Sequence, residues 1–532
     1  MIGVVPATRA KKPLGQYFTP DHIAKLMLSM TSKETHARVL EPSSGTGVFL
    51  DVLYGAGYEN VSAVEVDAQL ARHQVFEVNC QSFLTFGDES IYELIIGNPP
   101  YIRWKDLPDD SRDEIRSNPH FGQLFNSLAD YLTAFIVRAV QLLKTGGELI
   151  FITPSFWMHT QHSESLRDWL LQQGAIDGIV DFKEARVFPG VNSAIVIFRF
   201  VKGAQPRTID LWRYVDERHD VPQSIELTNP CQFTHLQIEP FTPQAHWTLW
   251  TPEELAMCNK LEASCHVREG DLLGTERLVT LGDLANIANG MVSGLDRAFQ
   301  LPEQLLPLLN KDERDCLLPV VKAHQLDNFW PKGITTYINI PEGLTEVEAY
   351  SLYPHLVQHL MQYRTELDAR YSYGRALPFW EWAFKRSERF FMSNDRKIFV
   401  PCKERLTNKP TVRFALASAG TVAVQDVTAL SLNPETRVSL EYVLAYLNHP
   451  SVSEWIRKRG LMKGGIAEFS ERPLASIPFR QICWSDPREV DLHDAISELV
   501  QRMQVDASNK SQLITAINGQ LELLLSSKSR YQ

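Results

Sequence analysis

Between about residues 36 and 200, six short β-branched or apolar runs alternate with longer helical stretches: "ARVLEPSSGTG", "NVSAVEVD", "YELIIGNPPY", "GGELIFITP", "IDGIVDF" and "SAIVIFRF". That alternation predicts an α/β fold, a mostly parallel sheet with crossover helices, in which ligands sit beyond the strands' carboxyl ends. The conspicuous residues of these runs fall at those ends. In "LIIGNPPYIRW", Leu94 to Trp104, the apolar run stops at a glycine and an asparagine. Two prolines then end the ladder and stiffen the backbone, so that an amide and a tyrosine are displayed at a strand's end.

The 532 residues exceed what one core supports and suggest roughly two to four domains. From residue 202 the pattern weakens into turn signals ("KGAQPRT", "NPCQF", "EPFTPQAHW"). We place a linker region at 246–275, between an α/β domain at 1–245 and a second domain of mixed, short elements at 276–480. Residues 481–532 read as a helical segment, with Leu492, Ile496, Leu499, Val500 and Met503, then Leu513, Ile517, Leu521 and Leu524, spaced for one buried face. No run of about 18 apolar residues could span a bilayer, and the first residues lack the apolar core of a signal peptide. A cytoplasmic protein without a membrane partner is expected. The seven scattered cysteines form no Cys-x-x-Cys pair and predict neither disulfides nor a metal site.

The net charge of −11 argues against a polyanionic partner for the chain as a whole, but a nucleic-acid groove needs only one basic face. Residues 364–413 hold twelve basic residues against six acidic ones. Arg375, Lys385, Arg386, Arg389, Arg396, Lys397, Lys403 and Arg405 are the candidates for DNA contact, interleaved with aromatics such as Tyr371, Trp380, Trp382 and Phe384. The competing reading is an ordinary solvated face over a core.

Two strand ends suggest a cofactor site. After Val39 and Leu40 come Glu41, Pro42 and a small-residue turn (Ser43, Ser44, Gly45, Thr46, Gly47) that opens a helix. Small residues let backbone N–H groups approach a ligand, and the carboxylate favours a sulfonium or ammonium over a pyrophosphate. About twenty residues on, "NVSAVEVD" ends in Glu65 and Asp67, where an acidic side chain usually takes ribose hydroxyls. Each piece alone could be an ordinary βα turn or a solvated strand end.

The third strand end supplies the chemistry. An amino group conjugated to a heterocycle is a poor nucleophile because its lone pair is delocalised. Acceptors on both of its hydrogens, the side-chain oxygen of Asn98 and the carbonyl of Pro99, would localise that pair. Tyr101 offers a face for a base, and positioning would do most of the catalysis.

The order "GQYFTP", "LEPSSGTG", "VEVD", "NPPY" and "VFPGVNSAIVIF" resembles the γ-class DNA amino-methyltransferases that make N6-methyladenine, mostly type II modification enzymes. The likeness runs motif by motif over roughly residues 14–200, and more loosely through "GLMKGGIAEFSERPLASIPF". It implies a Rossmann-like S-adenosylmethionine-dependent catalytic domain, followed by a mixed α/β target-recognition domain and C-terminal helices. Thr19 would contact the cofactor's carboxylate; Glu41, with Ser43 and the Gly45 and Gly47 backbone, its methionyl part; Glu65 its ribose; Phe83 and Pro100 its adenine. Asn98 and Pro99 would hold the target amino group, while Tyr101 and Phe188 would stack on an extruded base. Where the family usually carries an aspartate for the cofactor's adenine amino group, this chain has Ser82, a weaker acceptor. The implied partner is double-stranded DNA in the cleft between the domains, with a monomeric enzyme, no metal and a restriction endonuclease, if any, on a separate chain.

Other readings use the same residues. Pro230-Cys231-Gln232 has the letters of a cytosine C5-methyltransferase nucleophile but lies far beyond the fourth strand. A protein-glutamine methyltransferase would share Asn-Pro-Pro-Tyr, yet such enzymes do not carry about 330 residues after the cofactor domain. Methylation of RNA and a DNA-binding module without activity complete the alternatives.

Overall fold

In the first of two units, Met1–Glu254, strands and helices alternate: α1 (Asp21–Leu28), β1 (Val39–Glu41), α2 (Val48–Gly55), β2 (Val61–Glu65), β3 (Val78–Cys80), β4 (Tyr92–Gly97), α3 (Asp109–Ser117) and α4 (Tyr131–Leu142). There follow β5 (Leu143–Pro154), α5 (Glu164–Gln173), β6 (Gly174–Asp181), β7 (Ile195–Lys202), β8 (Ile209–Tyr214), β9 (Phe233–Ile238) and, running past residue 254, α6 (Pro252–Ser264). This is a computed structural model, and it describes residues 18–87, 90–117, 121, 131–188, 194–216, 219–244, 246–269, 275–372, 374, 376–407, 409–463, 465–505 and 509–526.

One sheet takes all nine of these strands in the order β3-β2-β1-β4-β5-β7-β6-β8-β9. β1 lies parallel to both β2 and β4, with Val39 opposite Val61 on one side and Leu94 on the other. The strand order reverses between β1 and β4, and in open α/β sheets the crevice outside such a switch point receives the ligand. Leu94, Ile95 and Ile96 of β4 and Leu149 to Ile152 of β5 are wholly buried. Such unbroken apolar runs mark strands covered on both faces.

β7 inserts antiparallel between β5 and β6, so the sheet is mixed. The stretch after residue 202, where the periodicity weakens, adds β8 and β9 to the same sheet. In β9 only Phe233 and Ile238 at its two ends are buried, so an edge strand paired along β8 left little apolar alternation to read. The region expected as a linker is also structured. It contains Trp247, stacked on Phe241 at 4.4 Å, helix α6, and a strand at His266–Glu269.

The second unit, Leu255–Gln532, centres on a four-stranded antiparallel sheet ordered Ala285–Asn289, Val427–Leu432, Lys397–Pro401, Ala415–Ala417. Helices Leu440–Leu447, Pro487–Val505 and Lys510–Ser526 close an apolar cluster over it, joining Ile398, Val400 and Leu430 to Ile496, Val500, Ile517 and Leu521. The expected C-terminal helices thus belong to that unit's core.

Candidate functional site

Three strand ends converge at the switch point. Register places Glu41 beside Ala63 of β2, so Glu65 ends two residues further on, and Gly97 of β4 pairs with Phe151 of β5, which brings Asn98 level with Ile152. Between β1 and α2 the turn needs two left-handed residues, Gly45 (φ +52°) and Gly47 (φ +87°), a conformation that costs glycine nothing. Ser44 N–H donates to the Val64 carbonyl at 2.9 Å and ties the turn to β2.

Both oxygens of Glu65 accept backbone N–H groups, from Gly45 at 2.8 Å and from Asp67 at 2.9 Å. Its carboxylate therefore holds the glycine turn in shape as well as facing the cavity beside it. Glu41 is fully buried behind the turn; one oxygen accepts the Ser43 N–H at 2.9 Å. Gly97 packs so closely that a Cβ there would lie 2.6 Å from Glu41 Oε1, so the glycine leaves room for the carboxyl. Burial pushes the Glu41 carboxyl up to about 8; the Ser43 N–H opposes this and the neighbouring Glu65 adds to it.

Asn98 is held from both sides. Its Nδ2 donates to Thr19 Oγ1 at 3.0 Å, and its Oδ1 accepts from the Tyr101 hydroxyl, which also reaches the Ile152 carbonyl at 2.6 Å. Ser43 Oγ donates to the Asn98 carbonyl at 3.1 Å, linking the β1 turn to the Asn-Pro-Pro segment. Asn98, Pro99, Pro100, Thr19, Ser82 and Phe83 all line one cavity, and Phe18, Phe135 and Tyr131 complete its apolar walls. Tyr101 stands outside that lining, against β5.

The cavity's residues fit an adenosyl cofactor. Oγ of Ser44, in the cavity lining, is buried and has no hydrogen-bond partner among the described residues, nor has Oε2 of Glu41 behind the turn; a charged or amino-bearing ligand would supply one to the serine. Phe83, Phe135 and Tyr131 pack ring against ring beside Ser82, faces suited to a purine, and Glu65 in the same lining is suited to hydroxyls.

Residues 22–188 match the Eco57I restriction-modification methylase family. The type II methyltransferase M.HindII of Haemophilus influenzae is 38% identical over 97% of this chain and 98% of its own length. M.HincII, also from Haemophilus influenzae, is 37% identical over the same shares. The chain belongs to the type II DNA methyltransferases of restriction-modification systems. Among solved structures, the type IIL restriction-modification enzyme MmeI in complex with DNA superposes with a TM-score of 0.59 at 11% identity, over 96% of this chain and 72% of that one. This second likeness is one of fold.

Two residues expected at the methyltransferase's working surface lie in its cores. Phe188 is 2% exposed and packs in the apolar cluster of Ile23, Phe182 and Val187, so its ring has no face open to a base in this arrangement. A valine-phenylalanine pair just past a strand is as good a core signal as a stacking signal, and the core took it. Phe188→Ala should then cost about 3–5 kcal/mol of stability, the usual range for emptying a buried aromatic site. Urea unfolding measures this; an unchanged midpoint would return Phe188 to the surface role. Lys397 is 1% exposed, and its ammonium donates to the carbonyls of Ser393 at 3.0 Å and Asp395 at 2.9 Å. It serves as a structural lysine on a buried strand.

The other basic candidates differ in their surroundings. Lys385 is paired with Glu342 and Glu388, Arg396 with Glu441, and Arg386 donates to the Gly290 carbonyl at 2.6 Å. Arg389, Lys403 and Arg405 are exposed, while Arg375 lies outside the described residues, as do Gly15 to Tyr17 of "GQYFTP". Of the interleaved aromatics, Phe379, Trp380, Trp382 and Phe391 are core residues, while Tyr371 and Phe384 are exposed. Sequence reasoning passed over Phe18, Tyr131 and Glu114. Phe18 carried a signal, being part of the quoted motif; Glu114 carried none, since it approaches Ser82 only through the placement of α3.

Proposed function

We propose that this methyltransferase transfers a methyl group from S-adenosylmethionine to the exocyclic N6 of adenine in double-stranded DNA, as the modification component of a restriction-modification system. The observation that carries the reading is the fixed amide of Asn98, gripped by Thr19 and Tyr101 at the end of β4. S-adenosylmethionine supplies an electrophilic methyl group on a sulfonium centre. Glu65 would accept from the ribose hydroxyls; Thr19, Ser43 and the Gly45 and Gly47 backbone would surround the methionyl end; Phe83 and Pro100 would pack on the adenine.

Asn98 Oδ1 accepts from Tyr101 and, as a carbonyl oxygen, would also accept an amino hydrogen of the target. The Pro99 carbonyl would take the second hydrogen, so the nitrogen's lone pair is turned toward the methyl group. Reaching that position requires the base to leave the duplex, at a cost of a few kcal/mol that protein contacts repay. Tyr101 would lie against the extruded base. Phe188 could join it only by leaving its apolar cluster.

We assign choice of DNA sequence to the second unit, with Arg389, Lys403 and Arg405 as its exposed cations from the basic segment. Replacing Arg389 and Lys403 together by glutamine should weaken cognate and unrelated DNA about equally and lower the slope of log K against log salt by roughly 2. Fluorescence anisotropy across a salt series reads this, and an unchanged slope would remove both residues from the interface. The enzyme would act as a monomer in the cytoplasm, with any endonuclease on a separate polypeptide. The test of the whole reading is methyl incorporation from labelled cofactor into duplex DNA, followed by mapping of the modified base. Label on cytosine, on RNA alone or on protein would overturn it.

A further inference from the structure

Ser82 lines the cavity, and a carboxylate stands beside its hydroxyl. Glu114, on α3, lies 32 positions along the chain, and the Ser82 hydroxyl donates to its Oε2 at 2.9 Å. The same Ser82 oxygen accepts the Leu84 N–H at 3.3 Å, as the cap of the short turn Phe83–Thr85. Tyr131 lines the cavity beside Ser82, with its hydroxyl next to both Ser82 and Glu114.

A free serine hydroxyl donates or accepts as its ligand requires, and so does not tell an amino group from a carbonyl. With its one hydrogen committed to a carboxylate, Ser82 can only accept. We propose that Glu114 is a positioning residue that fixes Ser82 as an acceptor, and so makes this end of the cavity select a 6-amino purine over a 6-keto purine. The inference rests on the reading that the cofactor's adenine lies here. A hydroxyl polarised by a carboxylate is also a stronger acceptor than a lone hydroxyl, because hydrogen bonds in a chain reinforce one another. A ketone oxygen in place of the amino group would face an acceptor with no hydrogen to offer.

The test is the ratio of two dissociation constants measured on the full chain by calorimetry, for S-adenosylhomocysteine and for S-inosylhomocysteine. Wild type should favour the adenosyl compound by at least about tenfold, the worth of one unsatisfied pair of buried acceptors. Glu114→Ala frees the Ser82 hydrogen to donate, and the ratio should fall by on the order of tenfold, mainly through tighter inosyl binding. Glu114→Gln, whose amide oxygen still accepts, should keep much of the preference. Adding Ser82→Asp to Glu114→Ala should restore it, since a carboxylate at 82 again accepts only, and this arm holds even where Glu114→Ala alone weakens the fold around α3. A ratio unmoved in Glu114→Ala overturns the proposal while leaving the cofactor assignment intact. A wild-type protein that binds neither compound overturns both.

Discussion

Replacing Asn98 by alanine should lower the turnover number about 10²–10³-fold while the Kd for S-adenosylmethionine stays within about twofold, the pattern of a group that acts in the transition state. The surroundings of Asn98 make the variant interpretable. Tyr101 keeps its bond to the Ile152 carbonyl, and Ser43 keeps its bond to the main-chain carbonyl of residue 98. The substitution removes the acceptor that Tyr101 uses and the donation to Thr19. Asn98→Asp separates those two: an oxygen remains for the target amino group, but the donation to Thr19 Oγ1 is gone. It should retain more turnover than alanine. Single-turnover methylation with saturating DNA measures both, and full turnover in Asn98→Ala would remove the amide from the mechanism.

Affinity for the cofactor should rise steeply with pH up to about 8 and level off above it. The Glu41 carboxyl is pushed up to about 8 by complete burial, with Glu65 adding to the shift and the Ser43 N–H opposing it, so at neutral pH the empty site holds it largely protonated. A cationic ligand in front of the β1 turn favours the carboxylate, and binding then expels a proton. Below pH 8 each unit of pH should change Kd by up to about tenfold, the limit for one proton released per ligand bound. Calorimetry in two buffers of different ionisation heat counts that proton. Glu41→Gln should bind more weakly at pH 8.5 and lose the pH dependence; a Kd indifferent to pH in the wild type would sink the idea. The same group affects folding with the opposite sign. Its folded pKa lies above the unfolded one, so the stability it contributes is fully present below about 4.5 and is lost as pH rises through about 8.

The site was more legible in the sequence than the second unit, for a physical reason. A parallel sheet confines chemistry to strand ends, and "LEPSSGTG", "VEVD" and "NPPY" each combine an apolar run with a polar stop, so Glu41, Glu65 and Asn98 could be read one by one and do converge. Bonds between distant segments left no such trace: Thr19 to Asn98, Tyr101 to Ile152 and Ser82 to Glu114 depend on register and helix placement. In the 364–413 segment composition misled for a different reason. Cations there serve as structural donors as often as they face water, as Lys397 and Arg386 show, and the tryptophans beside them fill the core.

The helix Lys510–Ser526 packs Leu513, Ile517, Leu521 and Leu524 into the same cluster as the central strands of the second unit. Chains leave the ribosome from the amino end, at about 5–20 residues per second. The first unit's last deeply buried tryptophan, Trp247, emerges long before Leu524. During a window of roughly 15–55 s at those rates, the nascent protein has all of its first unit's strands and an unsealed second core. Translation that stalls in that window leaves apolar surface open across the unfinished half, and quality-control proteases act first on such a form.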